Sequence, residues 1–163
     1  CYANYNADLT RTIPVSGKFS RRQKQLYNAV LRVLRQSIEN ATIGKSLKEW
    51  QNDSHEMMTE EMLRLKLITP TEVKKQDPDQ PACRKFYMHG LGHSMGLDVH
   101  DVCNGQYKFK ENSIFTVEPG IYLPNEGFGI RLEDNIQITK NGPVNLMSKI
   151  PIEAEEIEEI MNR

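Results

Sequence analysis

Apolar positions repeat with helical spacing over residues 19–41. Tyr27, Val30, Leu31, Leu34 and Ile38 fall at i, i+3, i+4, i+7 and i+11, one stripe along a helix. Ser20 and Gln23 stand at capping-box spacing before it, and Gly44 is expected to end the segment. Arg21, Arg22, Lys24, Arg32, Arg35 and Glu39 fall on the other side and read as a solvated face. Ser46 and Glu49 repeat the capping-box spacing. A second helix is therefore predicted to about Leu67, burying Leu47, Trp50, Met58, Met62 and Leu65. Its two methionines suit core packing better than a pliable binding surface. Pro70 opens a polar stretch, and residues 71–81, with Asp77-Pro78 and Gln80-Pro81, are predicted to form a surface loop.

From Phe86 onward the pattern breaks into short segments separated by Gly and Pro. Residues 113–117 and 129–139 read as strands, although Ile130, Leu132, Asn135, Ile136 and Ile138 alternate only in part. Pro119-Gly120 and Asn125-Glu126-Gly127 are predicted turns. A last helix is expected over 153–162, with Ile157, Ile160 and Met161 on one side. At the start, Tyr2, Tyr5, Leu9, Ile13 and Val15 suggest a β-hairpin arm over 1–15, with Pro14 at an edge. Helices followed by strands, with no internal repeat, give an α+β domain.

With 163 residues the chain can bury one sizeable core. A net charge of −1 gives no reason to expect nucleic acid or a membrane surface as partner. No apolar run approaches the roughly 20 residues of a membrane span. Cys1, Cys83 and Cys103 form an odd, sparse set without a CxxC pair, which argues against a disulfide framework or a four-cysteine zinc site. Together with the lack of a signal-peptide pattern, this leads to the expectation of a reducing, cytoplasmic setting. The first residue is Cys rather than Met, so a piece of a longer protein is expected.

Four ionisable residues stand in apolar or glycine-rich surroundings, where a charge is costly unless paired or metal-bound. They are Asp8, His93, Glu118 and Glu133. Singly, each has a structural explanation. Asp8 can pair with Arg11, Glu118 can be a turn carboxylate before Pro119, and His89 and His93 can be core histidines. Together, one imidazole and several carboxylates on distant strand-like segments suit a hard-to-borderline divalent cation such as Mn²⁺ or Co²⁺. They do not suit a closed zinc site of Cys and His at short spacing. His89 and His93 are separated by Gly-Leu-Gly, so the helical HExxH pattern is absent.

The stretch Met88-His89-Gly90-Leu91-Gly92-His93-Ser94-Met95-Gly96-Leu97-Asp98-Val99-His100-Asp101-Val102 resembles the signature of Xaa-Pro aminopeptidases and prolidases. Asp8-Leu9-Thr10-Arg11-Thr12, Thr116-Val117-Glu118-Pro119-Gly120-Ile121-Tyr122 and Gly129-Ile130-Arg131-Leu132-Glu133-Asp134-Asn135 resemble that family's other motifs, in the same order. The resemblance spans almost the whole chain. It implies the pita-bread peptidase fold, with residues 1–163 as the C-terminal part of the catalytic domain and incomplete on its N-terminal side.

The resemblance further implies two divalent metal ions, Mn²⁺ first and Co²⁺ or Zn²⁺ as alternatives. Asp8 and Glu133 would touch both ions, while His93 and Glu118 would complete one of them. A fifth ligand, an Asp upstream of Cys1, is not in this sequence. A bridging hydroxide would attack the carbonyl before proline, with Glu118 as general base then acid. His89 and His100 match histidines near the substrate, and Arg131 an arginine beside the last ligand. Asp101 and Asp134, next to the motifs, are expected to support the ligands from behind or to be structural. The implied partners are peptides with proline at the second position, and the family likeness suggests a homo-oligomer. Prolidase action on Xaa-Pro dipeptides, a metal-free creatinase-like enzyme and a non-catalytic peptide-binding module are the alternatives. The isolated chain, short of one ligand, is expected to be weakly active or inactive.

Overall fold

The structure, a computed structural model, describes residues 3–163. Cys1 and Tyr2, with any part they have in the expected arm, lie outside the described residues. Both predicted capping boxes form. Ser20 and Gln23 start α1 (Arg21–Glu39), and Ser46 and Glu49 start α2 (Leu47–Arg64). Each satisfies orphan N–H groups that the first turn leaves open. The α1 stripe is buried at Tyr27, Val30, Leu31 and Leu34, and α2 buries Trp50, Met58 and Met62. Trp50 Nε1 donates to Ser37 O at 2.8 Å, pinning α2 across α1. Gly44 lies in a turn beyond the helix, which ends at Asn40.

Several charges on the outer face of α1 do more than meet solvent. Arg32 grips the buried Glu61 of α2 through two hydrogen bonds, 2.9 and 2.7 Å long. Arg22 pairs with Glu126, Lys24 with Glu158 and Arg35 with Glu153, so the helix is tied to two later segments, the turn at Glu126 and the stretch 153–158. A third capping box, Thr69 with Glu72, makes a short helix, α3 (Pro70–Lys74), at the start of the expected loop. The final helix, α4 (Ala154–Met161), buries Ile157, but Ile160 is exposed.

The strands form one long hairpin that splits in the middle. β1 (Ile114–Val117) pairs antiparallel with β4 (Asp134–Thr139), and β2 (Gly120–Leu123) with β3 (Phe128–Arg131). Both ladders share one register, so Glu118 faces Glu133 and Pro119 faces Leu132 across the gap. The single strand expected over 129–139 is thus divided, and the turn expected at Pro119-Gly120 is instead the break before β2. β5 (Gly142–Asn145) completes a three-stranded sheet beside β4. Gly127, at φ 72°, closes the hairpin tip as predicted. On the core side the hairpin presents Phe115, Val117, Ile121, Leu123, Ile130, Leu132, Ile136 and Ile138, all buried.

Among the described residues the N-terminal segment does not form the expected hairpin arm. After a turn at Ala3-Asn4 it runs extended from Asn6, with its hydrogen bonds going to distant segments: Asn6 N–H to Gly96 O at 2.8 Å, and Thr10 O accepting from Glu133 N–H at 3.0 Å. Pro14 is buried and closes a turn with Gly17 rather than standing at an edge. Arg11 anchors the segment. Its guanidinium meets Asp134 Oδ1 at 2.7 Å, Glu133 O at 2.8 Å and Pro151 O at 2.8 Å. Asn145 Nδ2 donates to the second Asp134 oxygen at 2.7 Å, which fits the structural role expected of Asp134.

The side chains of Arg11 and Asp134 are only 10% and 4% exposed. Removing one member of such a pair strands the other in low dielectric. Arg11→Met is therefore expected to lower the urea-unfolding free energy by roughly 3–5 kcal/mol. A companion Asp134→Leu change in the same chain should recover only part of that loss, because Glu133 O, Pro151 O and Asn145 Nδ2 then lose these partners.

Candidate metal centre

The split in the hairpin is where the predicted residues converge. At the gap neither strand bonds to its partner through the glutamates. Glu118 N–H turns outward to Leu91 O at 2.7 Å, and Glu133 N–H to Thr10 O at 3.0 Å. Two further segments, carrying His93 and Asp8, are thereby docked on either side. Strand alternation sets Thr116, Glu118, Tyr122, Arg131 and Glu133 on the face opposite the apolar core. Asp8, His89, His93, His100, Glu118, Arg131 and Glu133 all line one cavity of about 500 Å³.

The His93 segment lies against β1. Thr116 N–H donates to His93 O at 3.0 Å, and Thr116 Oγ1 accepts from His93 N–H at 3.0 Å. Gly92 is needed for this approach, because a Cβ there would stand 2.0 Å from Thr116 O. His93 Nδ1 lies 3.0 Å from Ser94 O, which can only accept, so Nδ1 carries the proton and Nε2 is left as a free lone pair. Nε2 is 3.5 Å from Glu118 Oε1 and 3.7 Å from Asp8 Oδ2. Asp8 does not pair with Arg11, which is committed to Asp134. It sits between two fixed points of its segment, the Asn6–Gly96 bond and the Thr10–Glu133 bridge.

Three carboxylates thus gather against one guanidinium, Arg131, whose Nη1 is 3.9 Å from Glu118 Oε2. Burial raises the pKa of both Glu118 and Glu133, with neighbouring carboxylates adding to the shift; for Glu118 the nearby His93 and Arg131 partly offset it. Glu133 is 1% exposed, accepts from Thr10 Oγ1 at 2.5 Å through Oε2, and has no partner among the described residues for the buried Oε1. An orphaned carboxylate oxygen of this kind is expensive without a cation or proton. Ligand atoms of Asp8, His93 and Glu133 lie within 4.8 Å of one another. The residues therefore fit a divalent cation, with oxygen donors in the majority as Mn²⁺ prefers.

His89 and His100 stand at the rim. His89 Nδ1 lies 2.8 Å from Gly90 O, so it donates there and Nε2 accepts the Tyr122 hydroxyl at 2.7 Å. Burial lowers the His89 pKa, in keeping with the neutral ring. His100 is exposed and stacks on His93 at 4.0 Å between ring centres. Asp101 is turned away, its Oδ1 accepting Val102 N–H at 2.8 Å, a structural role. Sequence reasoning missed Thr10, Thr116 and Tyr122, which hold Glu133, His93 and His89. Period-2 alternation from Glu118 would have found Thr116 and Tyr122; nothing short of the fold finds Thr10. It also missed Gln51 of α2, whose Oε1 accepts Leu91 N–H at 2.6 Å and fixes the histidine loop. A roomier groove of about 810 Å³ runs past Glu72, Lys85 and Met88, but Glu72 and Lys85 pair with each other there at 3.1 Å.

Comparison with known proteins points the same way. The family model described as Metallopeptidase family M24 matches residues 1–140. An Xaa-Pro aminopeptidase of Haemophilus influenzae is 39% identical over 99% of this chain and 40% of its own length. Xaa-Pro aminopeptidase 3 of Mus musculus is 35% identical over 98% of this chain and 33% of its own. Among solved structures, zinc-substituted Escherichia coli aminopeptidase P in complex with product superposes with a TM-score of 0.87 at 35% identity, covering 98% of this chain and 38% of that one. The chain spans about two fifths or less of the length of these relatives.

Two outcomes test the geometry. Gly92→Ala should push His93 off β1, since the clashing atom is backbone, and weaken Mn²⁺ binding measured by calorimetry together with about 1–3 kcal/mol of stability. The second concerns pH. Because burial raises the folded pKa of Glu133 above its ordinary value of 4.5, the folded metal-free chain holds that proton more tightly than the unfolded chain does. The ionised carboxylate thus lowers stability at pH above the raised value, and this penalty fades as pH falls through it towards 4.5. In chelator, Glu133→Gln should melt higher than wild type near neutral pH, and the gap should close in that acidic window.

Proposed function

The chain belongs to metallopeptidase family M24 and has the pita-bread fold of aminopeptidase P, and on that premise we propose that it forms the C-terminal part of the catalytic domain of an Xaa-Pro aminopeptidase. The enzyme would release an N-terminal residue that precedes proline. The observation that carries this reading is the opposed pair Glu118 and Glu133, with Asp8 and His93 brought to the same gap and Glu133 Oε1 left buried without a partner among the described residues.

Asp8, His93, Glu118 and Glu133 would hold the metal, with Mn²⁺ favoured over Co²⁺ or Zn²⁺ by the oxygen-rich donor set. Bound divalent ions supply Lewis acidity at the scissile carbonyl and lower the pKa of water. Glu118 takes the proton of the attacking water and hands it to the departing proline nitrogen. His100, at the rim against His93, donates to the tetrahedral oxyanion. Arg131 faces Glu118 and orients it, while His89, held by Tyr122, lines the substrate side of the cavity. Peptides with proline at the second position are the proposed substrates. Cys83 and Cys103 are free thiols, in keeping with the cytoplasmic setting we infer. Among the described residues no helix is long and apolar enough to cross a membrane. Self-association is part of the proposal on the family likeness alone.

This sequence supplies four of the five ligand positions that the resemblance implies, so the 163-residue polypeptide alone is proposed to be weakly active or inactive. A chain extended upstream to include the fifth should cleave an Xaa-Pro-Xaa tripeptide in Mn²⁺, faster than an Xaa-Pro dipeptide. Glu118→Gln in that longer chain should lower kcat by about 10²–10⁴-fold. Robust turnover by the 163-residue chain would contradict the ligand count. No tripeptide cleavage by the extended chain would contradict the peptidase assignment, and preference for the dipeptide would make it a prolidase.

A further inference from the structure

The hydroxyl of Thr10 stands between two groups of the site. Its Oγ1 is 2.5 Å from Glu133 Oε2 and 3.1 Å from Arg131 Nε. Donor chemistry orders both bonds. A guanidinium nitrogen has no acceptor capacity, so Arg131 Nε–H must donate to the hydroxyl oxygen. The hydroxyl has one proton of its own, and the remaining partner at bonding distance is the carboxylate. The chain therefore runs one way, from Arg131 to Thr10 to Glu133. Oε2 becomes the acceptor of the Thr10 hydroxyl, and Oε1 is left as the atom without a partner among the described residues.

We propose that Thr10 is a positioning residue for the metal centre. Its hydroxyl clamps Glu133 by one oxygen so that the other is preset for a divalent cation. The same hydroxyl holds Arg131, whose Nη1 is 3.9 Å from Glu118 Oε2. The backbone bridge between Thr10 and Glu133 keeps the two residues opposite each other independently of the side chain. The hydroxyl thus contributes aim rather than proximity. A ligand carboxylate free to rotate must be ordered by the incoming cation, and loss of such a supporting hydrogen bond typically weakens metal binding about 10–100-fold.

This inference rests on the metal reading of the site, and Mn²⁺ titration of the chelator-stripped chain, extended upstream to include the fifth ligand position, separates the two. Thr10→Val keeps the branched shape and removes the hydroxyl; Thr10→Ser keeps the hydroxyl. Thr10→Val is expected to weaken Mn²⁺ binding about 10–100-fold and Thr10→Ser to stay close to wild type, both at a temperature where circular dichroism shows the metal-free chains folded. Should Thr10→Val fail to fold, Thr10→Cys, a weaker donor of similar size, is expected to fall between wild type and that loss. Wild-type affinity in Thr10→Val, or in Thr10→Cys where that variant stands in for it, overturns the role given to Thr10 and leaves the metal reading intact. A wild-type chain that binds no Mn²⁺ overturns the metal reading and this inference with it.

Discussion

A buried glutamate, Glu133, and a half-buried one, Glu118, facing each other across a broken hairpin are the constraint on which the site turns. Like charges directly opposite on a sheet repel, and burial removes the water that would screen them. A fold keeps such a pair only where something else supplies positive charge or takes up a proton. Here Arg131 approaches only to 3.9 Å and its side chain is 44% exposed, so one partly hydrated cation faces three carboxylates and does not neutralise the group. Asp8 adds a third carboxylate instead of relieving the pair. The net excess of negative charge, gathered in a cavity next to a free imidazole lone pair, is what gives a divalent cation a place.

The rest of the fold serves to open that gap without losing the sheet. β1 with β2, and β3 with β4, keep one register through the break, so the core face remains a continuous apolar surface against the helices. At the gap the backbone groups are satisfied from outside by Leu91 and Thr10. Those two contacts dock the segments bearing His93 and Asp8. Arg11 and Gln51 are the struts behind them, one reaching Asp134 and the other Leu91. Packing of the core thus fixes the ligand positions indirectly: helix α2 sets Gln51, Gln51 sets the histidine loop, and the loop sets His93.

Much of this was legible in the sequence, for reasons that are local. Capping boxes and a helical stripe depend on neighbours three or four residues away, and α1 and α2 formed where those signals stood. The residues of the centre were legible as ionisable groups in apolar or glycine-rich surroundings, and the ordered motifs assigned them together. What stayed hidden was set by distant partners. β2 read as a turn because Pro119-Gly120 has turn composition, yet Gly120 pairs with Arg131 in a strand. The N-terminal residues looked like a hairpin because they alternate, whereas their partners are Gly96, Arg131 and Glu133. Leu132, Glu133 and Asp134 are buried in succession, which broke the expected alternation, since the incoming segment covers the face that would otherwise meet water. Thr69 and Glu72 made a capping box that the proline-rich context masked.

The most direct measurement is metal content: Mn²⁺ bound per chain by elemental analysis, after equilibration and removal of free ion, for the wild-type sequence and for Glu133→Ala, both extended upstream to include the fifth ligand position. The opposed-carboxylate centre predicts metal retained by the wild type and lost from the variant, because the alanine removes a buried carboxylate oxygen for which the described residues provide no partner. A wild type that retains no metal, or a variant that retains as much as the wild type, would contradict the assignment of these residues as a metal centre.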